Sequence, residues 1–148
     1  MALAKISFPR IIFEFLWGLG IKVPLHNTQV KGWFGEWLAK DYLIGKKFKI
    51  IQKNWHSPYD FRKEIDLIAM NDECLVFIEV RARSQSAINS GYFSLNYRKR
   101  KSLLGAFNDF LKKHDGEYPI YRFDVIEVDL GSHWGEVFHH ENVSLFPS

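Results

Sequence analysis

Two runs of apolar and β-branched residues dominate the middle of the chain. They cover residues 63–70 and 75–83, and the short polar segment 71–73 separates them. Two such runs around a short polar turn predict a β-hairpin. If the turn is symmetric about its centre, Asp66 on the first strand faces Glu79 on the second, so the hairpin juxtaposes two carboxylates.

Side-chain alternation assigns the residues of this hairpin to two faces. One face has no charge and is predicted to be core: Ile65, Leu67, Ala69, Val76, Ile78 and Val80. The other face is apolar near the turn, with Ile68, Met70, Leu75 and Phe77. At its open end the same face carries charge, since Glu64 faces Arg81 beside the Asp66–Glu79 pair.

The remaining pattern predicts two long helices and further strands. A helix is predicted over residues 30–44, and Gly45 ends it. A second helix begins at Ser94 or Asn96. Its predicted buried stripe is Leu103, Leu104, Phe107, Phe110 and Leu111. Further strands are predicted over residues 47–53, within 118–130 and, at an edge, 136–139. The order helix, three-stranded meander, helix, strand predicts an α/β (α+β mixed) domain over residues 30–148, with a mixed sheet flanked by helices.

Residues 1–29 form a separate unit in this interpretation, an N-terminal apolar arm or helix. One side of the predicted helix carries Ile11, Ile12, Phe15, Leu16 and Leu19. This stripe favours packing on the core or on a partner subunit over lying on a membrane surface, because the polar side has few cations. Glu14 interrupts the run, which is shorter than the ~20 residues that span a bilayer, so neither a membrane span nor a secretion signal is predicted.

Composition narrows the function classes only a little. The 148 residues fit one domain, and the net charge of +3 barely favours a nucleic-acid partner. Cys74 is the only cysteine, which excludes an intrachain disulfide and a thiolate zinc cluster and suits a reducing, cytoplasmic location. The histidines show no metal-ligand spacing.

The facing pair of Asp66 and Glu79 needs a compensating cation, because directly opposed Cβ atoms lie ~4.5 to 5.5 Å apart and like charges repel. A divalent ion bound by the two carboxylates is one solution, and Mg²⁺ commonly uses one or two protein carboxylates with waters. The alternative is a structural ion network in which Arg81, Lys63 or Arg83 neutralises the pair.

Two further features point toward this end of the hairpin. Glu36 lies among small residues on the first helix, which makes it a candidate for the same site; the alternative is an ordinary surface glutamate. The basic run Arg98, Lys99, Arg100 and Lys101 opens the second helix. Cations there oppose the helix dipole, and a nucleic-acid phosphate would relieve the conflict; the alternative is a solvated charged face.

The order of elements and motifs resembles a known family. The residues that carry the resemblance are Gly35-Glu36, Ala39, Tyr42-Leu43, Asn54, Glu64–Ile68, Phe77–Val80, Arg83, Lys99 and Arg122–Val125. Together they resemble the YraN-like family of uncharacterised bacterial proteins, with the restriction-endonuclease-like core of the PD-(D/E)XK nuclease fold. That family is similar to the archaeal Holliday junction resolvases.

The resemblance implies a catalytic metal site. Asp66 and Glu79 would bind Mg²⁺ or Mn²⁺, with Glu36 as a further ligand or as a group that orients water. The resolvase-like pattern has a lysine two residues after the glutamate, where this chain has Arg81. Arginine keeps the charge and could stabilise the developing phosphorane, but its pKa above ~12 prevents proton exchange.

A second departure from the pattern is Lys63, which replaces the glycine usually found before the Glu-Ile-Asp motif. Both departures concern catalysis and leave the fold unaffected. Either Lys63 or Lys99 could replace the lysine that is absent at position 81, because the hairpin edge and the start of the second helix should converge near the site.

The function implied by the resemblance is a divalent-metal-dependent endonuclease on branched or structured DNA, in repair or recombination, acting as a homodimer on a symmetric junction. The expected nucleic-acid contacts are Arg81, Arg83, Arg98, Lys99, Arg100 and Lys101. One alternative is a catalytically inactive nucleic-acid-binding module. Another is an adaptor that binds partner proteins through its aromatic, basic surface.

Overall fold

The protein is described by a computed structural model that covers residues 9–83, 95–131 and 135–146. Its elements are α1 (Arg10–Gly18), α2 (Thr28–Gly45), β1 (Lys49–His56), β2 (Glu64–Asn71), β3 (Cys74–Arg83), α3 (Tyr97–Lys113), β4 (Tyr121–Asp129) and β5 (Glu136–His140). The predicted order of elements is confirmed. Ser94, one of the two predicted caps of the second long helix, lies outside the described residues.

The strands form one mixed sheet in the order β1-β2-β3-β4-β5. Neighbouring strands are antiparallel except β3 and β4, which are parallel. A parallel pair needs a crossover connection, and α3 provides it. The clusters of buried side chains place α2 on one face of the sheet and α3 on the other. The predicted α+β domain with a mixed sheet flanked by helices is therefore confirmed.

The hairpin of β2 and β3 has the predicted register. Asn71 pairs with Cys74, so the turn consists of two residues, and its first residue, Asp72, has a φ of 52°. Aspartate tolerates this left-handed conformation better than most residues. The ladder runs from this turn to the pair Leu67–Ile78, and the backbones diverge beyond it. Polar side chains can therefore enter the space between the strands at the open end.

The two faces of the hairpin follow the predicted alternation with one exception. Leu67 and Ile78 pack under α2, and Phe77 packs under α3. Ile65 was predicted to share the face of Leu67, and this prediction is wrong. Ile65 packs in the α3 cluster beside Trp55, its partner on β1. The ladder between β2 and β3 has ended before Ile65, and Asn54, which lies between the β1 partners of Leu67 and Ile65, has a φ of 47°, so regular alternation is lost here.

Helix α1 buries a different side from the one predicted. Its exposed residues include Ile11 at 74%, Phe15 at 65% and Leu19 at 61% exposure. Phe13 and Trp17 are buried instead, against aromatic side chains of α2. Aromatic rings bury the largest apolar area per residue, so they determine the orientation of a short helix. No helix of the described residues is long and apolar enough to cross a membrane.

Helix α2 approaches the sheet closely at Gly35. A Cβ atom built on Gly35 would lie 2.6 Å from Cβ of Ala82 on β3, a distance too short for two carbon atoms. Glycine at this position therefore permits the contact between the helix and the strand. Glu36 follows it directly, so the close approach places Glu36 beside the open end of the hairpin.

Candidate functional site

Asp66 and Glu79 come together at the open end of the hairpin. Oδ2 of Asp66 accepts a hydrogen bond from the backbone N–H of Val80 at 2.7 Å, which ties the carboxylate to β3 where the ladder has ended. Glu79 is buried, with 3% of its surface exposed, whereas Asp66 remains partly exposed. Both carboxylates nevertheless lie in an environment where burial is the main influence on their pKa.

Lys99 reaches this pair from the first turn of α3. The side chain of Asn96 caps the helix by accepting a hydrogen bond from the backbone N–H of Lys99 at 2.9 Å. Nζ of Lys99 then lies 3.0 Å from Oε2 of Glu79. On the other carboxylate oxygen, Oε1, the nearest cation is Arg81 at 3.7 Å. The site thus contains two acidic and two basic groups.

Burial and the neighbouring charges together raise the pKa values of Glu79, Asp66 and Lys99. Burial and the charge of Asp66 raise the pKa of Glu79 to about 8. Burial also raises the pKa of Asp66. For Lys99, burial lowers the pKa, but the charges of Glu79 and Asp66 outweigh it, and the net shift is upward. The carboxylates therefore hold a proton more strongly than usual, chiefly because burial disfavours their charged form.

Oε2 of Glu79 has no aligned hydrogen-bond donor among the described residues, although Nζ of Lys99 is close to it. A buried carboxylate oxygen without a hydrogen bond is costly, and a bound cation is one way to satisfy it. Two neighbouring carboxylates fit the usual protein donor set of Mg²⁺ or Mn²⁺, which completes its coordination with waters. The residues present are thus compatible with one divalent ion.

Glu36 lies next to this pair but has other partners. Its Oε2 lies 2.9 Å from Nη2 of Arg10 on α1. With its amide oriented to satisfy both neighbours, Asn54 donates to Oε2 of Glu36 and accepts from Nη1 of Arg10, each at 3.1 Å. Burial, followed by the charge of Asp66, raises the pKa of Glu36. The charge of Asp66 therefore affects Glu36, while the guanidinium of Arg10 binds the Glu36 carboxylate.

The described residues contain no group of three histidine, cysteine, aspartate or glutamate side chains placed to hold one metal ion. In this arrangement the site offers an ion two carboxylates, from Asp66 and Glu79. The role of Glu36 as a third ligand stays a prediction.

A cleft of about 320 Å³ lies between the first turns of α2 and the end of β3. Its lining begins at Val80, the residue after Glu79, and consists of Thr28, Lys31, Gly32, Val80, Arg81, Ala82 and Arg83. Arg83 has one loose ion pair, with Nη2 at 3.9 Å from Oε1 of Glu127. The lining contains three cations and no acidic residue, so the cleft suits an anion.

The other residues of the basic run point to different places. Arg98 and Lys101 are exposed at the start of α3. Arg100 donates from Nε to the carbonyl of Leu95 at 2.7 Å and from Nη1 to the carbonyl of Leu145 at 3.4 Å, which links the helix start to the C-terminal segment. Among these four cations, Lys99 is the one that contacts the acidic pair.

The structure distinguishes Lys63 from Lys99, the two candidates to replace the lysine that is missing two residues after Glu79. Nζ of Lys63 lies 3.1 Å from Oδ2 of Asp109 on α3 and contacts that residue instead of the acidic pair. Lys99 is in the site. Arg10 was not among the predicted site residues, because a single cation at the edge of an apolar N-terminal run has no distinguishing pattern.

A second buried charged cluster lies away from the site, between β4 and β5. Asp124 is fully buried, and its carboxylate binds Nε2 of His139 at 2.8 Å, Nε of Arg122 at 3.0 Å and the backbone N–H of Asn142 at 2.9 Å. Burial raises the pKa of Asp124, but these donors outweigh it and lower the pKa overall. His139 thus fastens the edge strand to the sheet.

Comparison with known proteins shows a family match that spans the positions of Asp66, Glu79 and Lys99 in this chain. A family model described as "Uncharacterised protein family UPF0102" matches residues 35–128. The chain is 36% identical to a UPF0102 protein of Clostridioides difficile strain 630, over 70% of this chain and 89% of the relative. It is 38% identical to UPF0102 proteins of Dichelobacter nodosus, over 73% of this chain and 86% of the relative, and of Legionella pneumophila strain Corby, over 69% and 85%. The chain therefore belongs to the UPF0102, or YraN-like, family.

Proposed function

We propose that this protein is a divalent-metal-dependent endonuclease of the PD-(D/E)XK class that binds and cleaves branched or structured DNA. The observation that carries the proposal is the convergence of Asp66, Glu79 and Lys99 at one point, although the three residues come from β2, β3 and α3. An acidic pair with an adjacent lysine is the donor set that this chemistry requires.

Each residue has a distinct part in the proposed reaction. Asp66 and Glu79 would hold Mg²⁺ or Mn²⁺, which when bound supplies Lewis-acid activation of the phosphodiester. The ammonium group of Lys99 would donate a hydrogen bond to the attacking water or to a phosphate oxygen. Because its pKa is raised, Lys99 stays protonated at neutral pH and acts by orientation and charge stabilisation, not as a base.

In the proposed complex, the nucleic-acid backbone passes over the cations of β3, α2 and the start of α3. Residues along a strand are ~3.3 Å apart, so Arg81 lies ~7 Å beyond Glu79 on β3, where it lines the cationic cleft. A phosphate next to the scissile one would lie there, with Arg83 and Lys31 nearby. Arg98 and Lys101 are exposed at the start of α3 and would add contacts whose strength falls with salt.

A nucleic-acid-binding module without turnover is the second candidate. One observation favours it: Arg81 occupies the position at which the resolvase-like pattern has lysine, and arginine cannot exchange a proton at neutral pH. Under this alternative Lys99 would neutralise the acidic pair as part of a structural ion network.

The deciding experiment incubates the protein with junction or flap DNA and Mn²⁺. Wild type is compared with Asp66→Asn, Glu79→Gln and the control Glu73→Gln, which removes an exposed acid at the turn end of the same hairpin. Cleavage that falls at least ~100-fold in the first two variants but not in the control supports the proposal. Salt-dependent binding without cleavage favours the inactive module, and absence of both rejects a nucleic-acid function.

A further inference from the structure

Helix α1 lies before residue 35, where the family match begins, yet one of its side chains reaches the acidic site. The helix is fixed to α2 by aromatic contacts. The ring centroids of Trp17 lie 5.1 Å from Phe34 and 5.8 Å from Trp37, and Phe13 lies 6.0 Å from Trp33. Trp17 is 2% exposed, so the docking is that of a core helix.

This docking determines where Arg10, at the start of α1, can bind. Nε of Arg10 donates to Oε1 of Glu14 at 2.7 Å, and Nη2 donates to Oε2 of Glu36 at 2.9 Å. Asn54 completes the set through Nη1. Glu14 is itself 3.5 Å from Nζ of Lys53 on β1. All three guanidinium nitrogens therefore have partners, in the fork geometry that makes arginine a specific ligand for carboxylates.

We infer that Arg10 is a positioning residue that holds Glu36 out of the divalent-ion site, so that the ion is bound by Asp66 and Glu79 alone. The inference rests on the proposed function, since it concerns the same ion. The guanidinium of Arg10 occupies the Glu36 carboxylate in place of a divalent ion. If α1 is displaced or Arg10 is removed, Glu36 becomes available to the ion.

The physical basis is competition between two cations for one carboxylate. Oε2 of Glu36 cannot face both the guanidinium of Arg10 and a divalent ion. The charge of Asp66 contributes to the raised pKa of Glu36, so the two carboxylates are electrostatic neighbours, and Arg10 is the cation that binds Glu36 in this arrangement. The described residues contain no three-carboxylate cluster placed for a metal, which agrees with a Glu36 that is bound elsewhere.

The test is Mn²⁺ binding, measured by titration calorimetry and by the electron paramagnetic resonance signal of free Mn²⁺. Arg10→Gln is expected to tighten binding about 5- to 10-fold, at the lower end of typical coupling between sites, or to add a second bound ion. The double variant Arg10→Gln/Glu36→Gln should lose this gain. Arg62→Gln serves as the matched control, because Arg62 forms a similar ion pair with Asp60 on the surface.

The outcomes separate this inference from the proposed function. If wild type and Arg10→Gln both fail to bind Mn²⁺, the proposed ion site is wrong. If wild type binds Mn²⁺ and Arg10→Gln binds it equally or more weakly, only the role of Arg10 is overturned. The near-ultraviolet circular dichroism of the Trp17 cluster reports whether α1 stays docked. Tighter Mn²⁺ binding by Arg10→Gln that is lost in the double variant with Glu36→Gln supports the inference, whether or not α1 stays docked.

Discussion

Nζ of Lys99 lies 3.0 Å from Oε2 of Glu79, although the two residues belong to different layers of the fold. The contact exists because Asn96 starts α3 at the open end of the hairpin, so that the first turn of the helix faces the diverging strands. Lys99 is therefore the closer cation to Glu79. Arg81, two residues farther along β3, lies 3.7 Å from the other carboxylate oxygen.

Replacing Lys99 should separate ion binding from turnover. We expect Lys99→Met to lower the rate of DNA cleavage by ~10²- to 10⁴-fold, the usual effect of losing a group that assists proton transfer or stabilises charge at the reacting centre. Mn²⁺ affinity should be unchanged or higher, because a cation that competes for Glu79 has gone. Cleavage assays and Mn²⁺ titration on the same preparation measure both effects.

Lys101→Met is the control for this variant, since Lys101 lies in the same turn but is exposed. It should leave the cleavage rate near that of wild type and weaken binding of DNA slightly at low salt. Equal losses in both variants would show that the charge of the helix start matters and that the contact of Lys99 with Glu79 does not.

The raised pKa of Glu79 predicts how stability varies with pH in metal-free protein. Burial and Asp66 raise this pKa from 4.5 to about 8, so the folded state binds more protons than the unfolded state between these values. Stability should therefore decrease as pH rises through this interval, with a contribution from Glu79 of at most about 1.4 kcal/mol per pH unit, and the raised pKa values of Asp66 and Glu36 act in the same direction. The raised pKa of Lys99 adds no slope here, because Lys99 is protonated in both states.

Divalent ion should reverse this trend. An ion bound to the pair displaces the extra proton, so the stabilisation by Mg²⁺ or Mn²⁺ should increase with pH up to about 8. Thermal unfolding between pH 5 and 9, with and without the ion, is the measurement, and Glu79→Gln should remove most of both effects. Metal-free stability that rises steadily over this range, with no difference between wild type and Glu79→Gln, would contradict the prediction.

The hairpin and its acidic pair could be predicted because both depend on local rules. Side-chain alternation and a two-residue turn fix the register as far as the pair Leu67–Ile78, and Asp66 and Glu79 are the next residues on the two strands. The assignment failed at Ile65, which lies beyond the last pair with β3 and beside the irregular residue Asn54 of β1. Alternation predicts the faces of a strand only where its neighbouring strands are regular.

The site's long-range contacts could not be predicted in the same way. Lys99 and Lys63 were equivalent candidates in the sequence, and only the packing of α3 places one beside Glu79 and the other beside Asp109. The orientation of α1 was mispredicted because apolar residues occur on more than one side of the helix; the predicted stripe contains Ile11 and Phe15, whereas Phe13 and Trp17 are buried. The position of Arg10 follows from that orientation.

The close contact between Gly35 and Ala82 gives a test of how tightly α2 holds Glu36. We expect Gly35→Ala to destabilise the protein by ~1–3 kcal/mol, because the added methyl group would lie 2.6 Å from Cβ of Ala82 and force the helix away from β3. The shift should also lower the cleavage rate, since Ala82 lies three residues beyond Glu79 and the clash disturbs the strand that carries this ligand. Chemical denaturation and the cleavage assay measure the two effects.

Gly32→Ala is a matched control one turn earlier in the same helix. A Cβ atom at Gly32 would meet nothing within 4 Å, so alanine should stabilise the helix by ~0.5–1 kcal/mol through its higher helical propensity. Opposite signs for the two variants are expected. Destabilisation of similar size at both positions would mean that backbone freedom, not the contact with β3, explains the glycine at position 35.

Exchanging Arg81 for lysine tests which residue supplies the catalytic cation. If Lys99 already has this role, Arg81→Lys should change the cleavage rate by less than about 3-fold, because the new ammonium group would duplicate one that is present. Arg81→Gln should instead weaken DNA binding and reduce the slope of log K against log salt by about 1, as expected for one lost phosphate contact in the cleft. A rise in cleavage of more than about 10-fold in Arg81→Lys would show that Lys99 does not replace the strand lysine, and that the wild-type chain is mainly a binding protein.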